Sequence, residues 1–216
     1  MPVRNPVNRY GRNIVGKFPS LKLKRMVVYE SSIERDQIYL MEYDPNVVFY
    51  EEQPFVIDYE ADGKQLTYTP DFRVVERSGR HLLVECKPQE YVTTEKNLRK
   101  FAAAEAWCVG QNWTFKVVTE QETRSGFRLE NVMMLWQFAR HQVSLNIKAR
   151  IYDVLNSANR LTLDDLATCL DPYNPTSATV PILCLIYHHE LSTNIDEAKI
   201  TGNSPIYLSQ TIGVRS

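Results

Sequence analysis

The sequence predicts a mixed α/β sheet flanked by helices, followed by a small winged-helix-like α+β domain. Three observations carry that prediction. Short apolar-rich runs between Val47 and Cys86 are separated by Ala61-Asp62-Gly63-Lys64 and Ser78-Gly79-Arg80, both hairpin signals. A helical pattern from Thr93 to about Gly110 then precedes another strand-like run, Phe115–Thr119, and a helix between two strands suits their parallel pairing. After about Ser144 the chain changes to short helical segments that end in one strand-like run.

Taken in order, residues 26–30 (MVVYE) read as a short strand, and Ser31 or Ser32 opens a helix that Asp44-Pro45-Asn46 stops after Tyr43. Strand-like runs follow at Val47–Glu51, Phe55–Glu60, Gln65–Thr69, Phe72–Arg77 and His81–Cys86. Leu98, Phe101, Ala102, Ala106 and Trp107 give the next helix its apolar stripe. Leu129 to about Val143 is helical again. Beyond it the sequence predicts helices over Ile147–Ser157, Thr162–Cys169 and Ser177–Glu190, then a strand at Pro205–Leu208 with Gly202-Asn203 at a turn, the outline of a winged helix-turn-helix.

At 216 residues, 44% hydrophobic and 24% charged, the chain has the make-up of a globular protein with a sizeable core. No apolar run has the length of a membrane span, and the N-terminus lacks a signal-peptide core. Cys86, Cys108, Cys169 and Cys184 are scattered without zinc spacing, which predicts a reducing, cytoplasmic setting and no structural zinc. The net charge of −1 hides an asymmetry: no acid precedes Glu30, yet Arg4, Arg9, Arg12, Lys17, Lys22, Lys24 and Arg25 do. Interrupted by Pro2, Pro6, Gly11 and Pro19, this stretch reads as an extended basic arm suited to phosphates, with Arg4, Arg9, Arg12 and Lys17 as DNA contacts; a solvated tail is the competing reading.

The chemistry is carried by Tyr68-Thr69-Pro70-Asp71-Phe72 and, after a hairpin, Val84-Glu85-Cys86-Lys87. Side chains alternate along a strand, so Glu85 and Lys87 share a face while Cys86 takes the other. Asp71 at the start of the neighbouring strand then brings two carboxylates and an ammonium to one sheet edge. Oxygen donors of this kind suit Mg²⁺ or Mn²⁺, and Lys87 is placed to meet a phosphate's developing charge.

These residues resemble the PD-(D/E)xK nucleases, whose Pro-Asp and Glu-x-Lys elements Pro70-Asp71 and Glu85-Cys86-Lys87 fit. The longer string Ser32-Ile33-Glu34-Arg35-Asp36, Glu42-Tyr43-Asp44-Pro45, Val47-Val48, Glu52-Gln53-Pro54, Thr69-Pro70-Asp71-Phe72 and Val84-Glu85-Cys86-Lys87 resembles the TnsA family. These are endonuclease subunits of heteromeric cut-and-paste transposases, including CRISPR-associated ones. The resemblance implies a restriction-endonuclease-like fold and a Mg²⁺-dependent DNA endonuclease, with Mn²⁺ as substitute. It also implies Glu34, Asp71 and Glu85 as metal ligands, with Lys87 at the reacting phosphate. It implies double-stranded transposon ends as substrate, a DDE-type transposase (TnsB-like) that cuts and joins the 3′ ends, an AAA+ ATPase regulator (TnsC-like), and a bacterial cytoplasm. The expected domains are the arm and first strand over 1–30, the endonuclease over 31–143 and the winged-helix-like part over 144–216.

Each residue also has a plainer reading. Ser31-x-x-Glu34 is a capping-box pattern, Asp71 after Pro70 a turn residue, and Lys87 before Pro88 a solvated strand end. Their joint occurrence in this order favours the metal set. Glu42 is expected to be solvated or in a salt bridge, Gln53-Pro54 to shape the following strand, and His188-His189 to lie at a helix-end surface. The third helix of the C-terminal part lacks Arg and Lys, which favours protein docking over base reading. The rival functions are a free-standing nuclease of the same superfamily, of restriction or junction-resolving type, and a non-catalytic assembly adaptor.

Overall fold

The computed structural model describes residues 14–158 and 160–209. The chain divides into two compact units, Met1–Ser125 and Gly126–Ser216.

The first unit begins with an antiparallel hairpin, β1 (Gly16–Pro19) and β2 (Met26–Tyr29). From Gly16 onward the basic stretch is therefore folded, which corrects the expectation of an extended arm leading up to the strand at 26–30. Phe18 and Val27 are buried from this hairpin, and two of its cations, Lys22 and Arg25, have structural partners. Lys22 Nζ donates to the carbonyls of Met41 (2.8 Å), Val47 (2.6 Å) and Asp44, and Arg25 forms a two-pronged pair with Glu52 at 2.7 and 2.6 Å.

Helix α1 (Ser32–Tyr43) follows, started by Ser31, whose Oγ accepts the Glu34 N–H, and ended at Asp44-Pro45. Strands β3 (Val47–Glu52), β4 (Ile57–Ala61), β5 (Lys64–Tyr68), β6 (Phe72–Glu76) and β7 (His81–Cys86) come next. Then come helices α2 (Gln89–Val92) and α3 (Glu95–Gln111), strand β8 (Thr114–Val118) and the short helix α4 (Glu120–Thr123). The main sheet has the order β3-β6-β7-β8; β7 and β8 are parallel, as the intervening helix predicts, and the other pairs antiparallel. Asn112 closes α3 in the left-handed conformation, φ 56°.

The β4–β5 pair stands apart from the other strands between Val47 and Cys86. It is a separate two-stranded ribbon closed by Asp62 and Gly63, both at positive φ (51° and 67°), the signature of a tight two-residue hairpin. Only its open end, Ile57 and Tyr68, is buried, so its strands lack the apolar face that a sheet interior demands. Those two residues join Leu83, Ala104 and Cys108 in a core flanked by Phe55, Trp107, Trp113 and Phe115. Alternate residues on the same strands, Val74, Leu82 and Val84, line a cleft with Leu40 and Met41 of α1.

The second unit contains α5 (Arg128–Trp136), α6 (Leu145–Ser157), β9 (Leu161–Thr162), α7 (Leu163–Leu170), α8 (Pro175–Tyr187), β10 (Leu191–Ser192) and β11 (Pro205–Leu208). The strands form a small antiparallel sheet in the order β10-β11-β9. Thr162 and Asp165 make a reciprocal capping box at the start of α7. Helix α5, expected with the nuclease domain, is part of this unit: it packs on α8, Trp136 meets Tyr187 at 5.7 Å between ring centroids, and Asn131 bonds the backbone at Ile195, Ala198 and Ile200. Helix α8 is buried at Ala178 and throughout Pro181–Tyr187, which explains its lack of Arg and Lys: it is the core of the unit and not an exposed recognition surface. His188 is exposed at the end of α8, its Nε2 2.9 Å from the Ala139 carbonyl. Among the described residues no helix is long and apolar enough to cross a membrane, and the four cysteines are free thiols.

Candidate active site

The register of the main sheet assembles the site at one end. Phe72 pairs with Val84, so Asp71 and Glu85 face each other one step further on. Asp71 is held there twice: its Oδ2 accepts the Cys86 N–H at 2.7 Å, and its carbonyl accepts the Gln53 N–H at 2.8 Å. Lys87 leaves β7 with its N–H on the Val118 carbonyl at 2.9 Å, and its Nζ returns to Glu85 Oε1 at 2.9 Å. Glu85 and Lys87 thus share a side, as strand alternation predicts. The other Glu85 oxygen accepts the Tyr68 hydroxyl at 2.6 Å, and the carboxylate is almost fully enclosed, with 3% of the side chain exposed.

Glu34 reaches this group from the first turn of α1. The cap reading is met in part: Ser31 Oγ accepts the Glu34 N–H at 3.1 Å. The Glu34 carboxylate, however, does not close a box on Ser31; its Oε2 takes the Glu30 N–H at 2.8 Å. Its charge is felt by both Asp71 and Cys86. The structure therefore brings all four predicted residues, Glu34, Asp71, Glu85 and Lys87, into one electrostatic group.

Burial, followed by the charges of Glu85 and Glu34, holds Asp71 well above the usual carboxylate range despite the pull of Lys87 and the Cys86 N–H. Glu34 is raised as well, by burial first, then by Glu30 and Glu85, against the Glu30 and Ser31 hydrogen bonds. Burial works to lower Lys87, but Glu85 and Asp71 outweigh it and its net shift is upward. A cluster of this kind is short of positive charge, and a divalent cation among oxygen donors relieves it. Among the described residues no three His, Cys, Asp or Glu side chains stand ready-set around an ion. The hydrogen bonds explain this: both Glu85 oxygens and one Asp71 oxygen are taken up by protein donors.

Three neighbours of this group escaped the sequence reading. Tyr68 holds Glu85 from the separate β4–β5 ribbon; its signal was its place three residues before Asp71. Lys100 of α3 lies over the Tyr68 ring, its Nζ 5.6 Å from the centroid, and has no ion pair among the described residues. Burial lowers it, and the charges it senses are Glu85, Lys87, Lys96 and Asp71. Gln53 anchors Asp71 through its backbone. Glu42, expected to be solvated or in a salt bridge, is 3% exposed and accepts four hydrogen bonds. Of the expected DNA contacts, Lys17 is exposed on β1, and Arg4, Arg9 and Arg12 lie outside the described residues.

Comparison with curated proteins gives no match. Residues 44–120 match the family described as TnsA-like endonuclease N terminal. The matched segment runs from the end of α1 to the start of α4 and contains Asp71, Glu85 and Lys87, with Glu34 just ahead of it. The part of the chain that builds the sheet and the Asp71-Glu85-Lys87 constellation is thus similar to the TnsA-like endonuclease N-terminal domain.

Proposed function

We propose that this protein is the Mg²⁺-dependent endonuclease subunit of a heteromeric cut-and-paste transposase, acting in the bacterial cytoplasm. It hydrolyses phosphodiester bonds at the 5′ ends of the element, while a DDE-type transposase cuts and joins the 3′ ends and an AAA+ ATPase regulates the assembly. The observation that carries this reading is the pairing of Asp71 with Glu85 across adjacent strands, with Lys87 on Glu85 and the Glu34 charge alongside.

In this reading Glu34, Asp71 and Glu85 hold the divalent ion, Mg²⁺ or in its place Mn²⁺. Bound there, the ion supplies an activated water and neutralises phosphate charge. Lys87 keeps its ammonium charged and 2.9 Å from Glu85, where its N–H donors can be divided between that carboxylate and an incoming phosphate oxygen. The Tyr68 hydroxyl fixes the other Glu85 oxygen and limits its rotation. Lys100 and Lys17 offer sequence-independent phosphate contacts, and Arg4, Arg9 and Arg12 extend that role. The second unit serves protein contacts rather than base reading, because the helix a winged domain would insert in the groove is its core.

The test uses DNA carrying the transposon ends, Mg²⁺ and the partner transposase. Cleavage near the 5′ ends is expected only with the transposase present, and Asp71→Ala abolishes it while circular dichroism shows a folded chain. Unchanged cutting by Asp71→Ala removes the site assignment. Strong site-specific cutting by the isolated chain favours a free-standing nuclease.

A further inference from the structure

The row that sets Asp71 against Glu85 has a third member. Glu52 pairs with Phe72, so the next residue of that strand, Gln53, stands opposite Asp71 and donates its N–H to the Asp71 carbonyl at 2.8 Å. Gln53 lies just past the end of β3, so strand alternation does not set its side-chain direction; its bond to Glu30 does. Gln53 is buried, with 9% exposed, and adopts a left-handed backbone, φ 46°, that a glutamine takes only at a cost. Its Nε2 donates to Glu30 Oε1 at 3.1 Å, and the Glu30 N–H holds Glu34 Oε2 at 2.8 Å. This fixes the amide orientation, because turning it would set two oxygens against each other. The remaining atom, Oε1, is buried with no hydrogen-bond partner among the described residues. A buried carbonyl oxygen without a donor is a cost, removed by a proton donor or a cation.

We propose that Gln53 belongs to the divalent-cation centre: its Oε1 supplies a neutral oxygen to the ion, while its Nε2 steadies the Glu30–Glu34 arm. This rests on reading Glu34, Asp71 and Glu85 as that centre. Neutral amide oxygens are ordinary partners of hard cations, and one beside three carboxylates adds a donor without adding repulsion. The single amide also links the two acidic arms, one through the sheet and one through α1.

The experiment titrates the full-length chain with Mn²⁺ alone, by calorimetry, for wild type, Asp71→Asn and Gln53→Met. The methionine preserves length and the backbone bond to Asp71 but removes both amide atoms. Wild type binds, Asp71→Asn does not, and Gln53→Met binds roughly tenfold more weakly, the scale on which lost partners of a metal site act. The metal-free melting point of Gln53→Met stays within about 2 °C of wild type, since removal of the unpaired oxygen offsets loss of the Nε2–Glu30 bond. In the cleavage assay with transposase, excess Mn²⁺ restores its kcat. Wild-type Mn²⁺ affinity in Gln53→Met, with binding lost in Asp71→Asn, overturns the proposal and leaves the centre standing. A metal-free melting point lowered by more than about 2 °C, with no rescue by Mn²⁺, overturns it in favour of a purely structural amide. No Mn²⁺ binding by wild type removes both the centre and the proposal.

Discussion

Glu42 is the residue whose removal the structure prices most directly. Its Oε1 accepts the N–H groups of Leu21 (2.6 Å) and Lys22 (2.8 Å), and its Oε2 accepts the hydroxyls of Ser20 (2.8 Å) and Tyr50 (2.6 Å). One carboxylate thus ties the turn after β1 and the strand β3 to the helix that carries Glu34. In Glu42→Ala four donors lose a charged acceptor at once. Each buried donor left unpaired costs about 1–3 kcal/mol, and water entering the space of the lost carboxyl recovers part, so a loss of about 4 kcal/mol is expected. In Glu42→Gln the amide oxygen keeps both N–H partners, and the two hydroxyls can turn to accept from the amide nitrogen; about 1–2 kcal/mol is expected. For a chain of this size each kcal/mol moves the melting point by roughly 2–4 °C, so Glu42→Ala falls by roughly 8–16 °C and Glu42→Gln by roughly 2–8 °C. Differential scanning calorimetry measures both. A Glu42→Ala midpoint within about 3 °C of wild type, at the same scan rate and protein concentration, refutes the four-bond account.

The remaining predictions concern the site. Asp71 and Glu34 are raised, so the folded chain holds their protons above the unfolded values of about 4. Their contribution to stability is therefore greatest in acid and declines as pH rises from about 4 towards the raised folded values. Melting curves without divalent ions show this slope, Asp71→Asn reduces it, and Mn²⁺ flattens it; a slope unaffected by either change contradicts the shared-charge picture. Lys100→Met weakens DNA binding and lowers its salt slope by about one while leaving the melting point unchanged, and an unchanged slope removes Lys100 from the phosphate path. Purified chain mixed with end-bearing DNA and Mg²⁺ gives little specific cutting until the transposase is added, as gel analysis of the cut strands will show.

Local pattern carried most of the first unit. The Asp62-Gly63 and Ser78-Gly79-Arg80 turns and the helix between β7 and β8 all act over a few residues, and each is visible in sequence. So was Glu85-x-Lys87, because strand alternation alone sets the two on one side. The buried face of α3 was not, since Phe101 is buried but Leu98, Ala102 and Ala106 are exposed, and Asn97, Ala104 and Cys108 are buried in their place. What escaped depends on partners far along the chain. Glu42 and Lys22 are charged residues whose burial follows from hydrogen bonds spanning about twenty positions, which no periodicity records. Gln53 and Tyr68 join the site only once the register of β3 and the fold of the β4–β5 ribbon are known. Helix α5 reads as amphipathic in either unit; the Asn131 bonds to residues 195–200 decide where it packs.

The β6–β7 hairpin separates chemistry from connection. Asp71 and Glu85 occupy its open end, whereas Arg77, Ser78, Gly79 and Arg80 close the other end, exposed to solvent. Five residues of strand, at about 3.3 Å each, place that turn some 17 Å from Asp71. A fluorophore, epitope or short insertion at Ser78-Gly79 therefore gives a handle on the domain that leaves the carboxylates where they are, and the loop is free to vary in length while the distance across the open end stays fixed by the ladder.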